Sequence, residues 1–492
     1  MGYIGSIDQG TTGTRFMVFD ETGTPVGNAY AKHEQIYPQH GWVEHDPDEI
    51  WKRTKEVVLR GLGEAGIEQS ELEAVGVTNQ RETTVVWDES GEPVYNAVVW
   101  QDRRTTERVE ELVAEGKEEE IRAKTGLEPN SYFSATKLEW ILENAVGDAD
   151  RDNVHAGTVD SWLIYRLTGG EAHVTDTTNA SRTMLFDINE LRWDDDLLEE
   201  FGVPRSVLPD LKPSSGELYG YTSEDGFLGA SVPVAGALGD QQAALFGQTC
   251  FDAGDAKNTY GTGSFFLTNT GEEAVGSENG LLTTVAFEIA GEKPKYALEG
   301  SVFMTGGVVE WLEEVGMIDS VEACEDVARS VGSSEGVYLV PAFTGLGAPY
   351  WDERASGTVV GMSRDTRSEH IVRAALDSIA YQTRDVVEAM QEDAGVEITS
   401  LSVDGGAVQN DLICELQAGI VGVDIDRPVV DETTALGAAY AAGLTVGYWE
   451  TLEELRENRK VDRVFGSEEH EHKVEADYGR WKKAVERARG WE

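Results

Sequence analysis

Basic residues are in short supply. The chain sets 40 Lys and Arg against 91 Asp and Glu in 492 residues, a formal net charge of −51. That deficit argues against a nucleic-acid partner and against an anionic membrane surface. Cysteine is scarce as well. Cys250, Cys324 and Cys414 are far apart and odd in number, which suits neither a disulfide framework nor a zinc site. No apolar run reaches transmembrane length, and no charged-then-apolar signal segment opens the chain. These absences lead to the expectation of a protein made and kept in the cytoplasm.

The acid is spread along the chain, as in Glu118-Glu119-Glu120, Asp194-Asp195-Asp196 and Glu468-Glu469. An acidic binding surface would be a patch. An even spread points to a surface adapted to molar salt, where the Debye length is ~3 Å and self-repulsion is screened. Hydrophobic residues make up 40% of the chain, ample for burial, and the length implies two domains.

The stretch Gly239-Asp240-Gln241-Gln242, near mid-chain, follows an apolar run (Val234 to Leu238) and opens a helix rich in small residues. An Asp at such a strand-to-helix junction either caps the helix or takes a proton from a hydroxyl in the space beyond. Spacing alone leaves both readings open.

Two Gly/Thr turns are set between strands. Asp8-Gln9-Gly10-Thr11-Thr12-Gly13-Thr14-Arg15 lies between an apolar strand from Tyr3 and another from Phe16. Its backbone N–H groups, the hydroxyls of Thr11 and Thr12 and the Arg15 guanidinium suit an oligophosphate, and Asp8 can hold Mg²⁺ through water. An ordinary polar hairpin is the alternative. The pattern recurs at Gly261-Thr262-Gly263-Ser264, between strands from Asp255 and Phe265. Two such hairpins, each early in its half, predict two related α/β domains, 1–250 and 251–492, gripping one phosphate chain from both sides.

Further strand ends carry polar groups. Arg81-Glu82 are either a solvated pair or a donor and an acceptor for a polyol. Trp100 can wall a small substrate, and Tyr132 either packs at a helix start or donates its hydroxyl. Asp404-Gly405-Gly406 ends a strand and opens the next helix, where glycines let a nucleotide lie close to backbone. Asn410, one turn on, can reach an adenine or ribose. The pattern is not GxGxxG, so a dinucleotide fold gains no support. The alanine-rich helix Thr433 to Ala442 is expected to pack within the second half. The tail from Trp449 reads as charged helix and loop without a site.

With these motifs in order, the chain resembles the glycerol kinase branch of the carbohydrate-kinase family, which has the actin/hexokinase-like (ribonuclease H-like) ATPase fold with a cleft between two domains. The resemblance runs nearly end to end. Besides the motifs above it covers Asn79 to Thr83, Trp100 to Arg104, Tyr132 to Lys137, Gly157 to Trp162, Thr175 to Thr183, Tyr260 to Phe265 and Gly345 to Trp351. It implies ATP-dependent phosphorylation of glycerol to sn-glycerol 3-phosphate, with Asp240 as general base. It assigns Arg81, Glu82, Tyr132, Asp240 and Gln241 to the three hydroxyls, and Trp100 and Phe265 to the carbon backbone. Thr11, Thr12, Gly13, Arg15 and Thr262 would hold phosphates. Gly306, Glu310, Gly406 and Asn410 would flank the adenosine, and Asp8 would assist Mg²⁺. A homodimer or homotetramer is implied.

Two departures stand out. Glu310 occupies a position where family members commonly have Gln. In the loop Gly226 to Val232, Phe227 and Ser231 replace the basic residues that bind fructose 1,6-bisphosphate in regulated bacterial members. Regulation by that sugar bisphosphate is expected to be absent.

Overall fold

The computed structural model describes residues 2–147, 151–467 and 471–491. The acidic pair Glu468-Glu469 lies outside them.

The first half is built on strands β1 (Tyr3–Gln9), β2 (Gly13–Phe19), β3 (Pro25–Lys32), β4 (Leu72–Asn79), β5 (Gly220–Tyr221) and β6 (Pro233–Gly239). They form one sheet in the order β5-β6-β4-β1-β2-β3. The second half uses β7 (Ala256–Tyr260), β8 (Ser264–Gly271), β9 (Leu282–Phe287), β10 (Lys295–Val302), β11 (Ser400–Asp404), β12 (Asp424–Pro428) and β13 (Val461–Phe465). Their order is β9-β10-β8-β7-β11-β12-β13.

The two sheets share one plan. An antiparallel meander (β1-β2-β3, and β7-β8-β10) is extended on its first strand by two parallel strands (β4 and β6, and β11 and β12). In the first sheet the added strands are short, largely apolar runs because both faces are covered: β4 is buried at every position except Glu73, and β6 at every position except Pro233. The Gly/Thr turns close β1-β2 and β7-β8, as the sequence predicts. The first turn is tighter than read, since Asp8 and Arg15 are paired opposite each other inside the ladder.

The helices that position the site are α1 (Pro47–Ala65), α2 (Asp240–Gly247), α3 (Gly306–Glu314), α4 (Ser368–Ala394), α5 (Asp411–Val421), α6 (Thr433–Val446) and α7 (Glu471–Ala488). Helix α1 starts at Asp46, whose side chain accepts the Asp48 N–H, with Pro47 in the first turn. It packs across β2 and β3.

The expected packing of α6 is corrected. It lies on β1, β4 and β6 of the first sheet and against α2, not within the second half. Glycines make this possible. A Cβ on Gly76 of β4 would stand 2.1 Å from the Ala438 carbonyl, and one on Gly437 only 1.8 Å from the Ala243 carbonyl. The alanine-rich sequence is therefore a backbone-to-backbone contact surface. The tail also differs from its reading, because it contributes edge strand β13 as well as helices. Helix α7 docks on α4 through Tyr478 Oη and Trp481 Nε1, which donate to buried Asp385 at 2.7 and 2.8 Å. Among the described residues no helix is long and apolar enough to cross a membrane.

Candidate active site

Register brings the first-half motifs together. Gln9, Asn79 and Gly239 stand in one row at the ends of parallel strands β1, β4 and β6. The chain leaves this row as the Gly10–Thr12 turn, as Arg81-Glu82 and as Asp240. Sites in open α/β sheets form at such strand ends.

Glu82 adopts φ 62, and the Thr83 N–H closes a tight turn onto the Arg81 carbonyl at 2.7 Å. A left-handed non-glycine residue costs about 1–2 kcal/mol. Here it aims a carboxylate inward, where Arg182 Nε donates to it at 2.7 Å. Asp240 does not cap α2. Gly239 holds the cap position, and Asp240 is the first helical residue, accepting only its neighbour's N–H at 2.7 Å. Its carboxylate lies 3.3 Å from Arg81 Nε and is 28% exposed, whereas Arg81 and Glu82 are buried. Burial pushes the Asp240 pKa up, against the pull of Arg81 and Lys257.

A buried ion network underlies this carboxylate. Arg81 Nη1 and Nη2 donate to the two oxygens of Glu299 at 2.5 and 2.8 Å, and Nη1 also reaches Gln242 Oε1 at 3.2 Å. Arg182 bridges Glu82 and Glu299, the latter at 3.1 Å. Burial opposes the Glu299 charge, but Arg182 and Arg81 hold its carboxyl down at about 2. Lys257 donates to Gln241 Oε1 at 2.6 Å and to Thr259 at 2.9 Å, and burial lowers its amine to about 8.

Aromatic rings wall the same space. Trp100 and Tyr132 meet edge to face at 5.5 Å, and the Arg81 guanidinium sits 6.0 Å over Phe265. Trp100 Nε1 donates to Thr11 Oγ1 at 2.9 Å, which ties the wall to the first Gly/Thr turn. Buried Lys137 donates to the carbonyls of Ser131, Tyr132 and Phe133 and so fixes the Tyr132 segment. Burial, then the nearby Glu82, push the Tyr132 phenol up and keep it protonated.

The residues expected on the phosphate side divide between the halves. Thr12 is exposed and 3.2 Å from Tyr30 Oη. Arg15 pairs with Glu432 of the second half at 2.7 Å, so its charge is not free. Asp8 is pushed up to about 7 by burial and by the charges of Glu432 and Asp240, with Arg15 opposing. In the second half, the Gly306 N–H donates to the Gly261 carbonyl at 3.1 Å, and the Gly307 N–H to that of Thr262 at 3.0 Å. A Cβ on Gly306 would lie 3.9 Å from the Ala407 Cβ, so the turn, the start of α3 and the 405–407 bend converge. Thr262 and Gly406 are exposed there, and Glu310 is exposed one turn along α3.

One expectation about this segment changes. The double glycine opens a single 3₁₀ turn, Gly406–Gln409, and not α5 itself. Asn410 is the cap of α5, its Oδ1 accepting the Ile413 N–H at 3.2 Å. Gly405, at φ 93 and with no room for a Cβ beside the Tyr260 carbonyl (2.2 Å), is the glycine the bend requires.

Sequence reasoning missed Glu299, Arg182 and Lys257. Glu299 and Lys257 had a visible signal: each is a lone charge inside a strand that is otherwise apolar or uncharged at its centre. Arg182 had none beyond its place in a quoted motif.

Two sheets of one plan, a Gly/Thr turn in the first hairpin of each and a half-open carboxylate beside a buried arginine define a two-domain α/β kinase of the actin-like ATPase fold. Comparison with known proteins agrees. The model for the FGGY family of carbohydrate kinases, N-terminal domain, matches residues 3–247, and that for its C-terminal domain matches residues 256–446. A glycerol kinase of Haloferax volcanii is 64% identical, over 99% of this chain and 98% of its own. One of Petrotoga mobilis is 54% identical, over 99% of both. The crystal structure of Plasmodium falciparum glycerol kinase with ADP superimposes with a TM-score of 0.94 at 38% identity, covering 99% of this chain and 98% of that one. The chain belongs to the FGGY family of carbohydrate kinases.

Proposed function

We propose that this kinase transfers the γ-phosphoryl group of ATP to glycerol, giving sn-glycerol 3-phosphate. The observation that carries this reading is Asp240, a half-open carboxylate set 3.3 Å from Arg81 above a network of fully buried ion pairs. The glycerol kinase relatives at 54–64% identity over the whole chain support the choice of acceptor.

Glycerol has no charge, so fixed polar groups must recognise it. Arg81, Glu82, Tyr132 and Gln241 hold its hydroxyls, while Trp100 and Phe265 face its carbons. Asp240 accepts the proton of the attacking hydroxyl as the new O–P bond forms. The bond from γ-phosphorus to the β,γ-bridging oxygen breaks, and its electron pair leaves with ADP. The raised pKa of Asp240 makes it a better proton acceptor than an exposed aspartate. Thr11, Thr12 and Gly13 hold the phosphates from one side and Thr262 from the other, with Arg15 joining them on exchanging Glu432 for phosphate. Gly306, Glu310, Gly406 and Asn410 flank the nucleoside. Phosphoryl transfer asks for such positioning and charge neutralisation more than for covalent chemistry.

Mg²⁺ fits the residues present. Asp8 would offer an oxygen donor to the ion, which would offset the burial and the Glu432 and Asp240 charges that raise its pKa. Among the described residues no three acidic, His or Cys side chains converge on one metal position. Water and phosphate oxygens would therefore supply most of the ligands, as Mg²⁺ commonly has. When bound, the ion neutralises charge on the β- and γ-phosphates.

The two sheets, ending at Gly239 and starting at Ala256, support a division between residues 250 and 251, with α6 returning to the first domain. The family resemblance supports a cytoplasmic homodimer or homotetramer, which sedimentation in molar KCl measures. The functional test is Asp240→Asn. Glycerol-dependent ADP release should fall about 10²–10⁴-fold while ATP still binds. Undiminished turnover would remove Asp240 from the mechanism.

A further inference from the structure

Two of the acceptor residues proposed above are held from across the halves. Arg81 belongs to the first half, yet both its terminal nitrogens are spent on Glu299 of β10. With that fork occupied, the Nε edge is what Arg81 turns toward Asp240. Gln241 also belongs to the first half, and its Oε1 accepts from Lys257 of β7. An amide side chain can present either oxygen or nitrogen to a ligand. Lysine only donates, so it takes the oxygen and leaves the Gln241 Nε2 donors for an acceptor hydroxyl.

Glu299 and Lys257 are fully buried and engage the Arg81 and Gln241 side chains, so they act on an acceptor through those two residues. Arg81, Arg182 and Lys257 are interleaved with Glu82, Glu299 and Asp240, and Asp404 adds a further negative charge beside Lys257. Removing one partner of a buried pair is costly because the other charge is left uncompensated.

We propose that Glu299 and Lys257 are positioning residues by which the nucleotide half sets the donor edges of the acceptor pocket. The pocket is then a joint construction, complete only while the two halves are docked. This rests on the glycerol reading above and adds to it which second-half residues determine acceptor affinity.

The test uses Glu299→Gln, which keeps shape and drops the charge, and Lys257→Met, which frees Gln241 independently. Each is assayed by coupled ADP release in molar KCl, with KM measured for both substrates and a melting curve recorded. The KM for glycerol should rise about tenfold or more, the scale of one charge-assisted hydrogen bond, while that for MgATP stays within about twofold. Glu299→Asp, which retains the charge, should recover part of the glycerol affinity. A variant that melts lower with both KM values unchanged, or one in which both rise together, would assign a merely structural role and overturn the inference. If Glu299→Gln does not fold, Lys257→Met decides alone. If the wild type prefers another polyol, the function above fails, and the same comparison with that polyol still decides the inference.

Discussion

Replacing Gly437 by alanine should push apart two helices whose contact holds the Asp240 carboxylate in place. An ideal Cβ at Gly437 would lie 1.8 Å from the Ala243 carbonyl oxygen and 2.9 Å from the Gly247 nitrogen. Ordinary contact begins near 3.4 Å, so α6 and α2 must separate by roughly 1.5 Å or distort. Two effects of opposite sign compete. Alanine is the better helix former by about 1 kcal/mol. Overpacking costs about 1–3 kcal/mol, and a backbone atom that cannot swing aside places this site at the upper end. The net is a loss of about 2 kcal/mol, or a drop of about 4 °C or more in Tm for a domain of this size. Ala243 follows Asp240 by less than one helical turn, so the carboxylate moves with it. A displacement near 1 Å costs on the order of 10²-fold in kcat. Melting curves and glycerol-dependent ADP release in molar KCl read both quantities. A variant that melts at or above the wild type with unchanged kcat would mean that helix propensity wins and the close contact does not exist.

Other outcomes follow from the charges. Raising KCl from dilute to molar should raise both Tm and glycerol turnover, because exposed acids such as Glu118-Glu119-Glu120 repel one another until screened; full activity in dilute buffer with no gain on adding salt would defeat this. Burial lowers the Lys137 amine from 10.5 to about 7. Between those values the unfolded chain binds a proton that the folded chain does not, so this group adds stability as pH rises from 7 to 10.5, by up to about 1.4 kcal/mol per unit. Lys137→Met should lack that slope in denaturant titrations, and identical slopes in the two proteins would refute it. Fructose 1,6-bisphosphate at millimolar concentration should leave the rate unchanged. Phe227 packs edge-on against Trp51 at 5.4 Å instead of offering a cation, and inhibition reversed by dilution would contradict this.

The sequence by itself determined the two-half α/β plan, the two Gly/Thr hairpins and the strand-end motifs. These are local signals: alternation of strand and helix, glycine at turns, and charge or hydroxyl where an apolar run stops. It also determined which first-half residues deserved attention, because Asp8, Arg81, Glu82 and Asp240 each follow such a run. It left Asp240 undecided between capping and chemistry. The difference lies in one residue of helix phase, and only the structure shows Gly239 in the cap position.

Tertiary structure alone decided the rest, because those facts depend on residues far apart in the chain. Strand register puts Gln9, Asn79 and Gly239 in one row although 230 positions separate the outer two. Glu299 meets Arg81 across 218 positions, so no local pattern could pair them. Helix α6 crosses from the second half to the first sheet because glycines on β4, α2 and α6 admit a backbone-to-backbone contact. Alanine-rich sequence announces such a surface but not its partner. The Arg81–Glu299 and Gln241–Lys257 contacts are accordingly written in two places in the sequence and exist only once the halves meet.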